Sequence, residues 1–135
     1  MNDESPILID SPGDVTFDRE FLEKQGHPVL TCGGPGEKGR CPILEGEHCD
    51  KLDAAHGVIF ELDLDRERHR LVLERYLEIL PEGMPLQVMV KPGQHERYAD
   101  LLDRVPTWAH EPSAGELDGF AAQVESVDRW ESTDH

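Results

Sequence analysis

Gly57-Val58-Ile59-Phe60-Glu61-Leu62-Asp63-Leu64-Asp65 is a nearly unbroken apolar run that closes on three carboxylates spaced two residues apart. A run of this kind, without strict alternation, reads as a strand buried on both faces in the middle of a parallel sheet. In an open parallel sheet, ligands and chemistry gather at the carboxyl ends of the strands, where strand order reverses. Glu61, Asp63 and Asp65 stand at that end, so the functional question is which other residues arrive beside them.

Outward from this stretch, strand and helix signals alternate. Downstream, Asp65 can cap a helix over 66–80, where Val72, Leu73, Tyr76, Leu77, Ile79 and Leu80 make a wide apolar face and Pro81 with Gly83 stops it. A strand follows over 85–90, then a helical segment over 94–104 with Tyr98, Leu101 and Leu102 inward, and a weaker strand over 105–110 containing Trp108. Ser113 and Glu116 have capping-box spacing and open a last helix with Leu117, Phe120, Ala121 and Val124 on one face. Upstream, Ile7 to Asp10 is a short apolar run ending in an acid, with a turn at Pro12-Gly13. A helix over about 15–25 repeats Phe17, Phe21 and Leu22 at helical spacing, with Thr16 as cap and Gly26 at its end. His27 to Cys32 is a further strand. Five alternations call for right-handed crossovers, helices on both faces and a doubly wound parallel sheet, favouring the flavodoxin-like order 2-1-3-4-5.

The 135 residues make one domain, placed over 1–130, with a Cys/Gly-rich loop at 33–56 and a flexible tail at 131–135. Against 13 Lys and Arg stand 29 Asp and Glu, for a formal charge of −16. Such a field repels phosphate backbones and anionic lipid, which argues against nucleic acid or membrane as partner and suits a basic one. Its simplest use is solubility or a salty cytoplasm. The start, Met1-Asn2-Asp3-Glu4, is acidic and precedes only a short apolar run, which is not a secretory signal. The expected location is the cytoplasm, where Cys32, Cys41 and Cys49 stay reduced unless a metal or a redox role claims them.

With its strand ends placed in order, the chain resembles the receiver domain of bacterial response regulators along nearly its whole length. In that family the first strand ends in two acids that hold magnesium; the matching pair here is Asp10-Ser11. The phosphate-accepting aspartate matches Glu61, or Asp63 if the register slips by two. The Thr or Ser ending the fourth strand is matched by Val90, and the Lys of the family's Lys-Pro pair by Glu111, before Pro112. Phosphoryl transfer needs a cation and donors to neutralise the transferred oxygens. With the lysine, the hydroxyl and one acid missing, the resemblance implies a pseudo-receiver: a non-enzymatic regulatory module acting through protein contacts and not competent for the usual aspartyl phosphorylation. Asp10, Glu61 and Glu111 are then expected to meet at one crevice, either around a divalent ion or splayed into water. The family's usual contact surface maps to Tyr98, Trp108, Glu116 and Phe120, with exposed apolar side chains and a homodimer as expectations.

The cysteines offer an alternative. Cys32, Cys41 and Cys49, with His48 adjacent and His27 and His56 nearby, supply enough ligands for zinc or an iron-sulfur cluster, or for a redox sensor, although no Cys-x2-Cys knuckle is present. The plain reading is three reduced thiols and no cofactor. Gly34 to Cys41 has P-loop glycine spacing, but Arg40 and Cys41 replace the Lys and Ser/Thr, and no helix follows directly, so it is not a nucleotide site. A flavin is disfavoured because Ser11-Pro12-Gly13-Asp14 puts an acid where a phosphate loop would be.

Overall fold

A computed structural model of the chain describes residues 5–35 and 41–133, with side chains through residue 127. The decisive stretch forms the central strand β3 (Gly57–Phe60), buried at every position. It lies between β1 (Ile7–Asp10) and β4 (Leu86–Met89), with β2 (Val29–Cys32) and β5 (Thr107–Trp108) at the edges. All pairs are parallel and the order is β2-β1-β3-β4-β5, as the alternation of elements requires.

Because side chains on a strand alternate, each strand feeds two cores. Leu8, Val58, Phe60 and Val88 pack on one face with Leu52 of α2 (Asp50–Ala54), Val72, Leu73 and Tyr76 of α3 (Glu67–Ile79), and Leu102. Ile7, Ile9 and Ile59 pack on the other with Leu22 of α1 (Thr16–Lys24) and with Leu117, Phe120, Ala121 and Val124 of the last helix. Gly57 permits that second layer, since a Cβ there would lie 2.7 Å from Val124 and 3.1 Å from Phe120.

Local chemistry departs from the sequence expectation in a few places. β3 stops at Phe60, although the Glu61 N–H still bonds the Asp10 carbonyl at 2.7 Å. The helical segment over 94–104 divides into α4 (Gln94–Arg97) and α5 (Ala99–Leu102), with the break at Tyr98, whose hydroxyl donates to Asp65 at 2.8 Å. Neither Thr16 nor Asp65 caps a helix: Asp14 takes the Thr16 N–H and hydroxyl, and Asp65 turns toward Arg97 and Tyr98. The capping box of α6 (Ala114–Thr133) forms as its spacing implies, Glu116 N–H to Ser113 Oγ at 3.2 Å and Ser113 N–H to Glu116 Oε1 at 2.9 Å. α6 runs to Thr133, past the point where the flexible tail was expected. Residues 134 and 135, and Gly36 to Arg40 of the glycine-rich loop, lie outside the described residues. Among those described, no helix is long and apolar enough to cross a membrane.

Candidate functional site

Asp10, Glu61 and Glu111 do not meet at one crevice. Asp10 follows Leu8 in the alternation and faces the α3 layer, whereas Glu61 follows Ile59 and faces α1. The carboxyl end of the sheet therefore holds separate sites on its two faces, with a third set of groups over its edge.

On the α1 face, Glu61 is 8% exposed and its Oε2 has no hydrogen-bond partner. Burial pushes its carboxyl up to about 7, Asp18 and Glu111 push the same way, and a hydrogen bond with Ser11 opposes them. Asp18, also 8% exposed, rises to about 6 through its own burial and the charge of Glu111. Asp18 has no sequence signal: with Phe17, Phe21 and Leu22 read as the apolar face of α1, it counts as a surface acid. The structure instead exposes Phe17 to 57% and turns Asp18 and Leu22 inward.

On the α3 face, Asp10 accepts the Tyr76 hydroxyl at 2.7 Å. Burial raises Asp10 to about 7 against that hydrogen bond and the charge of Lys51, and burial likewise raises the Tyr76 phenol above its ordinary value. Both line a cavity of about 100 Å³ that Cys32, Cys41 and Cys49 also line. The Cys32 thiol is pushed up, chiefly by burial. The expected three-cysteine convergence is thus present around one cavity, but His48 does not join it; its side chain is 92% exposed and 3.4 Å from Asp53. His27 is also elsewhere, buried between the Ser5 carbonyl and Glu125. Among the described residues no group of three or more His, Cys, Asp or Glu is placed to hold a metal ion.

The third set surrounds Asp63 and Asp65. Lys91 Nζ reaches Asp63 at 3.1 Å, and the buried Gln94 amide donates to Asp63 at 2.9 Å and to Asp65 at 3.2 Å. Arg97 and Tyr98 complete the shell of Asp65. Burial works against ionisation of Asp63, but hydrogen bonds from the Asp65 N–H, Lys91 and Gln94 outweigh it and hold the carboxyl below its usual range. His69, whose imidazole is held below its ordinary value chiefly by burial, accepts the Asp63 N–H at 3.1 Å and hydrogen-bonds Pro35. Gly34 makes that approach possible: its φ is +86°, and a Cβ would stand 2.7 Å from Leu62 and 3.3 Å from His69 Nε2.

The expected contact face is altered. Phe120 is 2% exposed in the α6 core and cannot present itself to a partner, because the apolar face of α6 is spent on β3. Tyr98 and Trp108 are half-buried. Glu116 is held by Ser113 and by His110 at 2.8 Å, and its carboxyl is lowered by those bonds, the Ser113 N–H first. The large apolar side chains that are exposed, Phe17, Leu71, Leu77 and Ile79, sit on α1 and α3.

No protein-family model matches the chain, and a search of curated proteins finds no match. Solved structures do resemble it. A response regulator receiver domain protein from Clostridium thermocellum aligns over 93% of this chain and 98% of its own, at 14% identity and a TM-score of 0.68. The signal receiver domain of a putative Luxo repressor protein from Vibrio parahaemolyticus aligns over 98% and 99%, at 14% identity and 0.63. A flavo di-iron protein from Thermotoga maritima aligns over 95% of this chain but 36% of its own, at 14% identity and 0.55. Together with the strand order, these likenesses establish that the chain has a receiver-like, flavodoxin-type fold.

Proposed function

We propose that the protein is a pseudo-receiver, a regulatory signalling domain that works by binding another protein or a second copy of itself and does not carry an aspartyl phosphate. The observation behind this is the charge around Glu61. Among the described residues the charges bearing on it are those of Asp18 and Glu111, both negative, its one hydrogen-bonding neighbour of note is the Ser11 hydroxyl, and its Oε2 is unpartnered. An incoming phosphoryl group brings negative charge and needs cations where it lands. Lys91, on the loop after β4, is engaged with Asp63 instead. Asp63 is no better an acceptor, since Lys91, Gln94 and the Asp65 N–H already occupy its oxygens. Incubation with a small phosphodonor and magnesium leaves the intact mass unchanged; gain of one phosphoryl group overturns the reading. Tyr98, Trp108 and Glu116 are the part of the receiver contact face still at the surface, and the homodimer is checked by light scattering after size exclusion.

A second reading, a metal or redox sensor, is favoured by the gathering of Cys32, Cys41 and Cys49 around the Asp10 cavity. Zinc, iron or an oxidant would act there by drawing the thiols together. Protein purified without oxygen or chelator tests it: stoichiometric zinc or iron, lost when the three cysteines are changed to serine, supports the sensor. Three free thiols, no metal and no response to peroxide remove it.

A further inference from the structure

The crevice on the α1 face is built differently from a solvated acidic patch. Glu61 and Asp18 are both more than nine-tenths buried, they arrive from β3 and α1, and Glu111 faces them from the connection between β5 and α6. Ser11, after β1, contributes a hydroxyl to Glu61. Among the described residues, no cation is one of the groups acting on either acid. A buried carboxylate oxygen without a partner is costly when charged and tolerable when its carboxyl carries a proton.

We propose that this crevice is a proton-operated switch, in which Glu61 and Asp18 hold protons in the closed arrangement and their release to water drives the first turns of α1 away from the end of β3. The switch changes charge at the place where a receiver would change it by phosphorylation, yet its operation does not depend on the pseudo-receiver reading. When Asp18 and then Glu61 ionise, both face each other and Glu111 at low local dielectric, where like charges repel far more strongly than in water. α1 is the element able to respond. It is joined to β1 through exposed residues Pro12 to Asp14, and beyond Asp18 its fully buried contact is Leu22, one turn further along, with Val15 and Phe21 packed at the margin of the same core. Exposed Phe17 travels with it and partly buried Phe21, whose ring is 6.3 Å from that of Phe17, leaves the margin of the core, so opening changes the apolar surface that α1 presents. The acid on the other face, Asp10, titrates against Tyr76 and Lys51 and faces the thiol cavity, so it reports separately.

The experiment is a carboxyl and amide NMR titration of the whole chain from about pH 5 to about pH 8, a span covering the raised carboxyls. The expected result is a Glu61 midpoint near 7, with the amides of Thr16 to Leu22 moving at the same midpoint. Glu61→Gln, neutral at every pH, removes the α1 amide transition at the Glu61 midpoint and leaves only the shift that accompanies Asp18, which lies on α1 itself and titrates at about 6. Asp18→Asn moves the Glu61 midpoint down and serves if the first variant does not fold. The proposal is overturned if Glu61 titrates near its ordinary value of 4.5, if the α1 amides in Glu61→Gln still move at the wild-type Glu61 midpoint, or if Asp18→Asn leaves the Glu61 midpoint in place. Failure of the pseudo-receiver reading appears in a different signal, the mass gain with phosphodonor.

Discussion

Glu61 and Asp63 are two residues apart at the end of the same strand, and the fold treats them in opposite ways. Glu61 is enclosed by α1 with two more acids facing it, and its carboxyl rises to about 7. Asp63 stands at the rim with Lys91, Gln94 and a backbone N–H on its oxygens, and its carboxyl is lowered. The acid side chains differ by one methylene; their surroundings differ in the sign of the charge and in the supply of donors. For an acid at a strand end, the partners delivered by the following loops decide its chemistry, more than its place in the sequence does.

The sharpest way to break the Asp63 half of this contrast is Gln94→Ala. Gln94 is fully buried, donates to both acids and accepts the Lys91 N–H at 2.9 Å. Its loss costs about 2 to 3 kcal/mol, through unmet hydrogen bonds and a void, read from the urea midpoint. A loss below about 0.5 kcal/mol would show that the network adds nothing. Tyr76→Phe comes next, at about 1 to 3 kcal/mol, because it removes the hydroxyl from buried Asp10. It also raises the Asp10 midpoint further, visible by NMR.

Glu61→Gln should go the other way. Near pH 8 it stabilises by about 2 to 3 kcal/mol, since the wild-type acid must ionise while buried; below about pH 4, where the unfolded chain keeps the proton as well, it is almost neutral. The wild-type pH profile follows from the same sign. Asp10 and Glu61 rise from 3.8 and 4.5 to about 7, so the folded state holds protons that the unfolded chain has released. Their contribution is complete below the unfolded values, is lost as pH rises through about 7, and amounts to a few kcal/mol. Stability that rises steadily between pH 5 and 8 would contradict both assignments. The smallest effect is Lys91→Ala. Its ammonium is 60% exposed, so the loss stays within about 1 kcal/mol and shrinks with added salt.

The sheet was legible because hydrophobic runs and the turn residues between them are local signals. Gly57 to Phe60, Ile7 to Asp10, and the Ser113-Glu116 box each carry their instruction within a few residues. The site was legible in part: Glu61 stands at the end of the central strand, as its place in the run implies, and Cys32, Cys41 and Cys49 line one cavity, although without His48 and, among the described residues, without the arrangement of a metal site. Asp18, Lys51, Lys91 and Gln94 gave no such signal. Each reads as an ordinary helix or loop residue, and each matters because of a partner 20 or more positions away, as with Lys51 and Thr31 or Gln94 and Asp63.

By itself, then, the sequence determined the doubly wound parallel sheet, its central strand and the acidic charge, since these depend on composition and period. The tertiary structure alone decided that Asp10 and Glu61 lie on opposite faces, that Asp18 closes over Glu61, and that Lys91 serves Asp63. The physical reason is that side-chain alternation and crossover packing determine which distant groups share a space, and burial with its neighbours then sets the charge each group carries.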